Sequence, residues 1–485
     1  MTKHHFSLQA LKAHCSSLKP VMAEAHYRRF ISRNPQNLNG WALLIQCLKS
    51  QHNYVEASFT LDHFLDINGA GDAGKIFAIV SYFQIGEHVK AKLLSLKLAD
   101  KDLSKNPMLA RIASLLSDLT ECDVRTGFLP LHDGSVKLGV HDSHIKTLNS
   151  TTNGPEVVLL LKYEWHHSIQ KGIAAHLSRV GVRFMFLRTV WEVVAARPKV
   201  VVVSDALGSD RVALAHYLPK CLIVYTRHGL GDKNFAAHAA GQAHVTCVSS
   251  ASVAEEFARQ CVLNRDRLWV TGFPQMDDLF QRLSKQPESA INRRTVLVAP
   301  TFTKHLNAAD VLGKDLVDSV RGSDESIHIM IRPHPHSQKT HANLVQAWSD
   351  QAVHLPNVSI HSQDELNLMD LFDKADVMVS DVSSAGLAWL ATGRPLVCMT
   401  DSSKAKQSAF FAPEGLEWRM HKAAVHVPEV ETLRRVVRQV LIAPAKPNAY
   451  YLALRNHLFG SLTDGRASER VALRIKKWLD ATERN

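Results

Sequence analysis

At 485 residues the chain is longer than one hydrophobic core normally organises, and its length predicts about three domains. Apolar residues at 46% and charged residues at 21% exclude a disordered chain, and no run of about 18 apolar residues is present to span a bilayer. The net charge of +11 favours anionic partners such as nucleotides, phosphate polymers or acidic lipid, and is equally compatible with a soluble basic surface. No basic stripe interleaved with aromatic residues appears, so nucleic acid is not an expected partner. The seven cysteines (Cys15, Cys47, Cys122, Cys221, Cys247, Cys261 and Cys398) form no CxxC pair and mostly lie in apolar runs, as reduced, buried thiols would. Met1 to Leu8 carries no apolar signal core. Together these features predict a cytoplasmic protein.

Residues 1–120 read as successive helices, with apolar residues at helical spacing at Trp41, Leu44 and Leu48 and again at Ala57, Leu61 and Phe64. An Asn-Pro break, Trp41-x-x-Leu44, Tyr54 and Ala57 look like a tetratricopeptide unit, although the usual Gly is missing. Such a region is either a docking surface for a protein partner or a helical cap on the rest of the chain. Residues 121–154 are a polar junction ending in Asn-Gly-Pro. From 155 to 280, short apolar runs alternate with helical segments: Val157–Leu161, Arg183–Leu187, Lys199–Val203, Leu222–Tyr225, Val245–Val248 and Leu268–Val270. That alternation predicts a parallel sheet covered on both faces. Residues 281–294 are polar and read as a linker. A second series fills 295–485, with strands at Thr295–Ala299, His328–Ile331, Val358–His361, Val377–Ser380 and Leu396–Met399. Helices close it at about Val430–Leu441 and Ala467–Ala481. The fold class is therefore α/β: two Rossmann-like domains facing across a cleft, a GT-B arrangement, preceded by an all-α helical-repeat-like domain.

Four segments at strand ends could carry chemistry. After Leu222–Tyr225, His228 and Gly229 enter a loop with Gly231 and Lys233, which offers an imidazole, a positive charge and room for close backbone approach. On its own this is as consistent with a polar loop. Arg332-Pro333-His334-Pro335-His336 follows a strand, and its prolines stiffen the loop that carries Arg332 and His334. The two imidazoles there lack a carboxylate that would complete a familiar metal-ligand set. Ser380-Asp381-Val382-Ser383-Ser384 opens a helix, where hydroxyls and N–H groups suit a phosphate or simply cap the helix. Thr271-Gly272-Phe273-Pro274-Gln275-Met276-Asp277 reads mainly as a turn at the cleft mouth.

In this order the segments resemble the CDP-glycerol glycerophosphotransferase family, which builds teichoic-acid and related capsule polymers. That family's His-Gly-x-Pro-x-Lys is met by His228, Gly229 and Lys233, with Gly231 where Pro is usual. Its Gly-x-Pro-Arg-x-Asp is met by Gly272, Pro274 and Asp277, with Gln275 replacing Arg. Arg-x-His-Pro stands at Arg332, His334 and Pro335, and Ser-Asp-x-Ser-Ser is complete. A late Asp-Gly-x-x-Ser-x-Arg-Val stands at Asp464, Gly465, Ser468, Arg470 and Val471, and Pro300-Thr301 keeps part of Pro-Thr-x-Arg. The resemblance covers roughly residues 155–480 and leaves the helical region outside.

The resemblance implies a GT-B enzyme in which an acceptor hydroxyl attacks the β-phosphate of CDP-glycerol and releases CMP. It implies no cofactor beyond the nucleotide-activated donor, and a polymer or lipid-linked acceptor. His228 is the expected general base, because an imidazole titrates near working pH. His334 is the second catalytic position. Gly229, Lys233, Thr301, Arg332, Ser380, Asp381, Ser383, Ser384 and Arg470 are the expected donor- and phosphate-binding positions. No Asp-x-Asp pair ends a strand, so no metal is expected. The two C-terminal helices carry apolar faces (Leu433, Val436, Val437, Val440; Val471, Ile475, Trp478, Leu479) opposite basic ones. They are expected to pack on the core, with peripheral contact at the inner face of the membrane as the alternative. The rival readings are a GT-B sugar transferase or UDP-sugar epimerase, with Glu414 or Glu417 gripping a sugar, and a non-catalytic helical adaptor.

Overall fold

The computed structural model describes residues 8–18, 20–51, 53–68, 71–85, 87–98, 109, 154–207, 210–218, 220–231, 240–259, 263–285, 294–302, 308–362, 367–399, 415–444 and 446–483. The chain begins all-helical: Leu8–Ser16, Pro20–Arg33, Leu38–Ser50, Tyr54–Asn68, Asp72–Gln84 and His88–Ser95. The periodic residues Trp41, Leu44, Leu48, Ala57, Leu61 and Phe64 are all buried in one shared core. The break at Asn34-Pro35 is held by Trp41, whose indole N–H donates to Pro35 O at 2.8 Å. Asn37 caps the following helix, accepting from Gly40 N at 2.9 Å.

This helical region docks on the α/β body through buried charge. Arg267 pairs with Glu56, donates to Ala243 O and lies 4.2 Å from the Phe59 ring centroid. Arg28 bridges Glu24 at 2.8 Å and Glu56 at 3.0 Å, so every charge in the cluster has an opposite partner. Of the 121–154 junction, only Gly154 lies among the described residues.

Two parallel six-stranded sheets follow. The first holds β1 (Val157–Leu160), β2 (Phe184–Leu187), β3 (Val200–Val203), β4 (Leu222–Tyr225), β5 (Val245–Val248) and β6 (Leu268–Val270) in the order β2-β1-β3-β4-β5-β6. Val157 and Leu159 face one core while Val158 and Leu160 face the other, which is why these runs are apolar throughout. The second holds β7 (Thr295–Val298), β8 (His328–Ile331), β9 (Val358–Ile360), β10 (Val377–Ser380), β11 (Leu396–Cys398) and β12 (Val425–His426). Its order, β12-β11-β10-β7-β8-β9, is the Rossmann order read from the other edge. The expected strands are all present; β12, only two residues long, carries no pattern that sequence could show. The first residues of the expected 281–294 linker, 281–283, are the end of a helix, Asp277–Leu283.

The C-terminal helices have their apolar faces in the two cores. Leu433, Val437 and Val440 of Val430–Ile442 pack against the second sheet. The last helix, Ala467–Glu483, returns to the first sheet, where Val471, Ile475 and Leu479 are buried beside Val157 and Leu159. These apolar faces are covered by protein, as expected for helices packed on the core, and are not open to a membrane. Cys15, Cys47, Cys221, Cys247 and Cys398 are buried free thiols; Cys122 and Cys261 lie outside the described residues. No helix among the described residues is long and apolar enough to cross a membrane.

Candidate active site

Parallel strands leave their carboxyl ends on one edge, and a ligand crevice opens where neighbouring strands run to helices on opposite faces. In the second sheet that point lies between β7 and β10, and the loops following them hold Thr301 and Ser383. In the first sheet it lies between β1 and β3, which are followed by Trp165 and Asp205. The two edges face each other across a cleft of about 580 Å³ lined by both halves. His228, Gly229, Thr301, Arg332, His334, Ser383 and Ser384 all line it, although they follow four different strands.

His228 leaves β4 behind Arg227, a non-glycine residue at φ 61°. That left-handed conformation is strained and turns the next side chain out of the strand direction. It is held in place by burial of Arg227, whose guanidinium donates to Gly231 O at 2.6 Å and lies 5.3 Å from the Phe257 ring centroid. His228 Nδ1 is 3.2 Å from Ser204 O, an acceptor only, so Nδ1 carries the proton and Nε2 the lone pair. Asp205 Oδ1 lies 3.6 Å from Nδ1, a position from which a carboxylate would stabilise a protonated ring.

The opposite wall is built differently. His334 Nδ1 accepts from His336 N at 3.2 Å, which places the His334 proton on Nε2 and makes that nitrogen a donor. Phe302 packs on the His334 ring at 4.5 Å. Arg332 is largely buried, with one N–H on His361 O at 3.1 Å. Ser383 caps the short helix Ser384–Trp389, accepting from Ala385 N at 3.2 Å. Ser384 Oγ accepts from Gly231 N at 3.2 Å, so the two halves touch at this point. Each hydroxyl accepts through its oxygen in these bonds and has a proton of its own to donate.

Other expected site residues stand elsewhere. Ser380 and Asp381 are fully buried behind the cleft wall. Ser380 Oγ donates to Ala299 O at 2.7 Å, and Asp381 accepts from Thr301 N at 2.9 Å and Ala308 N at 2.7 Å. They shape the loop after β7 and are not among the residues that line the cleft. Arg470 is also outside the lining: it pairs with Asp464 and donates to Thr271 O at 3.3 Å. The late motif is a structural clasp, because Asp277 accepts from Ala467 N at 2.8 Å and Ser468 N at 2.7 Å at the start of the last helix. Gly465, at φ 68°, runs so close to Asp277 O that a Cβ would sit 2.7 Å from it. Lys233 lies outside the described residues. Among the described residues no group of three or more His, Cys, Asp or Glu side chains could hold a metal ion.

Sequence reasoning missed Trp165 and Asp205. Both sit directly after a first-sheet strand, and that position was their only signal.

The departure at Gly231 has a steric reason. A Cβ there would collide with the Glu417 carboxylate and lie 2.8 Å from Ser384 Oγ. The loop approaches the second half too closely for any side chain.

Comparison with known proteins agrees with this architecture. The wall teichoic acid polymerase TagF shares the fold at 13% identity and a TM-score of 0.50, over 71% of this chain and 95% of that one. The UDP-GlcNAc 2-epimerase from Neisseria meningitidis, in its UDP-GlcNAc complex, aligns over 66% of this chain and 99% of that one, at 13% identity and a TM-score of 0.44. No curated protein matches the chain. The sequence model of the family described as CDP-Glycerol:Poly(glycerophosphate) glycerophosphotransferase matches residues 224–477. That match runs from β4, just before His228, to the last helix and spans more than half of the chain, so this protein belongs to the CDP-glycerol:poly(glycerophosphate) glycerophosphotransferase family.

Proposed function

We propose that this transferase moves glycerol phosphate, or a related polyol phosphate, from a CDP-activated donor to an acceptor hydroxyl in the synthesis of a cell-surface polymer, releasing CMP. The observation that carries the reading is the pairing of opposite imidazole tautomers across one cleft: His228 with a basic Nε2, and His334 with a donating Nε2 beside Arg332. In this reading the acceptor oxygen attacks the β-phosphorus, His228 Nε2 takes its proton, and the bond to CMP breaks. Arg332, His334 and the Ser383 and Ser384 hydroxyls meet the charge on the phosphates. Because the charged nucleotide donor does not cross a bilayer, the reaction belongs on the cytoplasmic side.

The test is CMP release from CDP-glycerol and CDP-ribitol, with UDP-sugars alongside, for the parent chain, His228→Ala and His334→Ala. Loss of a positioned base is expected to lower the transfer rate by about 10²- to 10⁴-fold. Both variants should keep their thermal unfolding midpoint, since both side chains line an open cleft. Turnover of a UDP-sugar in place of a CDP-alcohol would overturn the reading.

A further inference from the structure

The helix that follows β1, His166–Arg179, turns Ile169, Ile173, Ala174 and Leu177 into the protein, and Gln170 beside them is fully buried as well. An amide in that place costs desolvation, and Gln170 Oε1 makes no hydrogen bond to offset it. A Met side chain would fill the same space without that cost, so the amide nitrogen is what distinguishes the position.

That nitrogen starts a chain of hydrogen bonds with a single direction. Gln170 Nε2 donates to Ser204 Oγ at 2.9 Å, and the Ser204 and Thr226 hydroxyls lie 3.0 Å apart. Thr226 Oγ1 donates to Val203 O at 3.2 Å, so the proton between the two hydroxyls comes from Ser204. Ser204 and Thr226 are also fully buried, where each bond in such a chain polarises the next. The chain grips the base from two sides. Ser204 is the first residue beyond β3, and its carbonyl accepts from His228 Nδ1 at 3.2 Å. Thr226 is the first residue beyond β4 and leads through the strained Arg227 to His228. Gln170 itself is not among the residues that line the cleft.

We infer that Gln170 is a positioning residue for the base: through the Ser204 and Thr226 hydroxyls it holds the Ser204 carbonyl against His228 Nδ1, which keeps the proton on Nδ1 and the lone pair on Nε2. The inference rests on the role proposed for His228 and adds a residue outside the cleft to it. Among the described residues, the charged and titratable groups around His228 are Lys162 and His166 after β1, Asp205 after β3, Arg227 beside it, and Arg332 and His334 across the cleft. A neutral replacement of Gln170 adds or removes no charge among them. The bond from Nδ1–H to a carbonyl favours the protonated ring, so losing it lowers the pH at which His228 gives up its second proton.

The experiment uses the full chain and three variants: Gln170→Met, Ser204→Ala and the two combined. In each single variant kcat for CMP release from CDP-glycerol should fall by about tenfold, with the KM for CDP-glycerol unmoved. The combined variant should fall no further, because both changes break one chain. The acid limb of the rate profile should move to lower pH in all three. A second readout needs no substrate: nitrogen-15 spectra of histidine-labelled protein, with His228→Ala to identify the ring. At a pH where the ring is neutral, the parent should carry its proton on Nδ1, and Gln170→Met should show a mixture of the two tautomers. An unmoved tautomer would overturn the inference whatever happens to kcat, and so would additive losses in the combined variant or a loss carried by KM. A shifted tautomer in a chain that leaves CDP-glycerol uncleaved would support the positioning by Gln170 and bring down the proposed function instead.

Discussion

Asp381 is fully buried, yet it shapes the cleft from behind its wall. Its carboxylate gathers Thr301 N and Ala308 N, two backbone donors that would otherwise be buried without a charged acceptor, and so fixes the turn that carries Pro300 to Phe302. Asp381→Asn keeps the shape but turns an amide toward those donors. The expected loss is about 1–3 kcal/mol of stability by urea unfolding, because both bonds lose their charge and the amide NH2 takes the place of Oδ1, 3.1 Å from Thr301 N. Donor KM should rise with it while the acceptor KM stays put. The division between His228 and His334 is decided at the same scale. One imidazole has its Nδ1 against a carbonyl and the other against an N–H, and that local difference alone sets which nitrogen carries the proton.

Among the elements, the loop after β4 is the most constrained. It starts with a strained Arg227, turns at His228 and closes against the second half through Gly231 N and Ser384 Oγ. Gly231→Ala puts a methyl into the Glu417 carboxylate and within 2.8 Å of Ser384 Oγ, so the loop must withdraw. Transfer should fall by about tenfold or more, since displacement of a base by even ~1 Å carries losses of that order and above. Circular dichroism should stay unchanged, because the loop lies outside the sheets. In the sequence, Gly272–Asp277 reads mainly as a turn, and Arg470 of Asp464–Val471 is an expected donor-binding position. In the fold they form one joint, where the Asp277 carboxylate holds the start of the last helix.

The whole molecule is tied together by the C-terminal helix crossing to the first sheet and by a clasp in which Glu256 meets Arg419 at 3.0 Å and His457 at 2.7 Å. Its response to pH draws on three histidines, His166 fully buried and His244 and His421 half-buried. Burial lowers His166 to about 4, His421 to about 4 and His244 to about 3, with Arg211 and Arg267 adding to the shift of His244. Their ordinary value is 6.5, so between 6.5 and 4 the unfolded chain binds protons that the folded chain refuses. Stability is therefore complete above 6.5 and falls as pH drops through that window, by up to ~1.4 kcal/mol per pH unit for each histidine. His166→Phe should remove about one proton from the slope of urea midpoint stability against pH in this range.

Periodicity in the chain was enough to place the helical start, the strands of both sheets longer than two residues, and the strand ends at which His228, Arg332, His334, Ser383 and Ser384 emerge. Local pattern suffices there because burial on both faces demands unbroken apolar runs, and parallel topology sends every strand end to the same edge. The same logic could not separate residues that touch the cleft from residues that build its wall: Asp381 and Ser383 belong to one motif and are both buried, yet only Ser383 lines the cleft. Nor could it bring Trp165 and Asp205 to His228, or carry the last helix back to the first sheet. Those contacts join residues dozens to hundreds of positions apart, and they follow from the way two sheets and their crossovers fill space together. The spacing of apolar residues records which face each element buries, whereas the partner buried against it is chosen by packing of the whole chain.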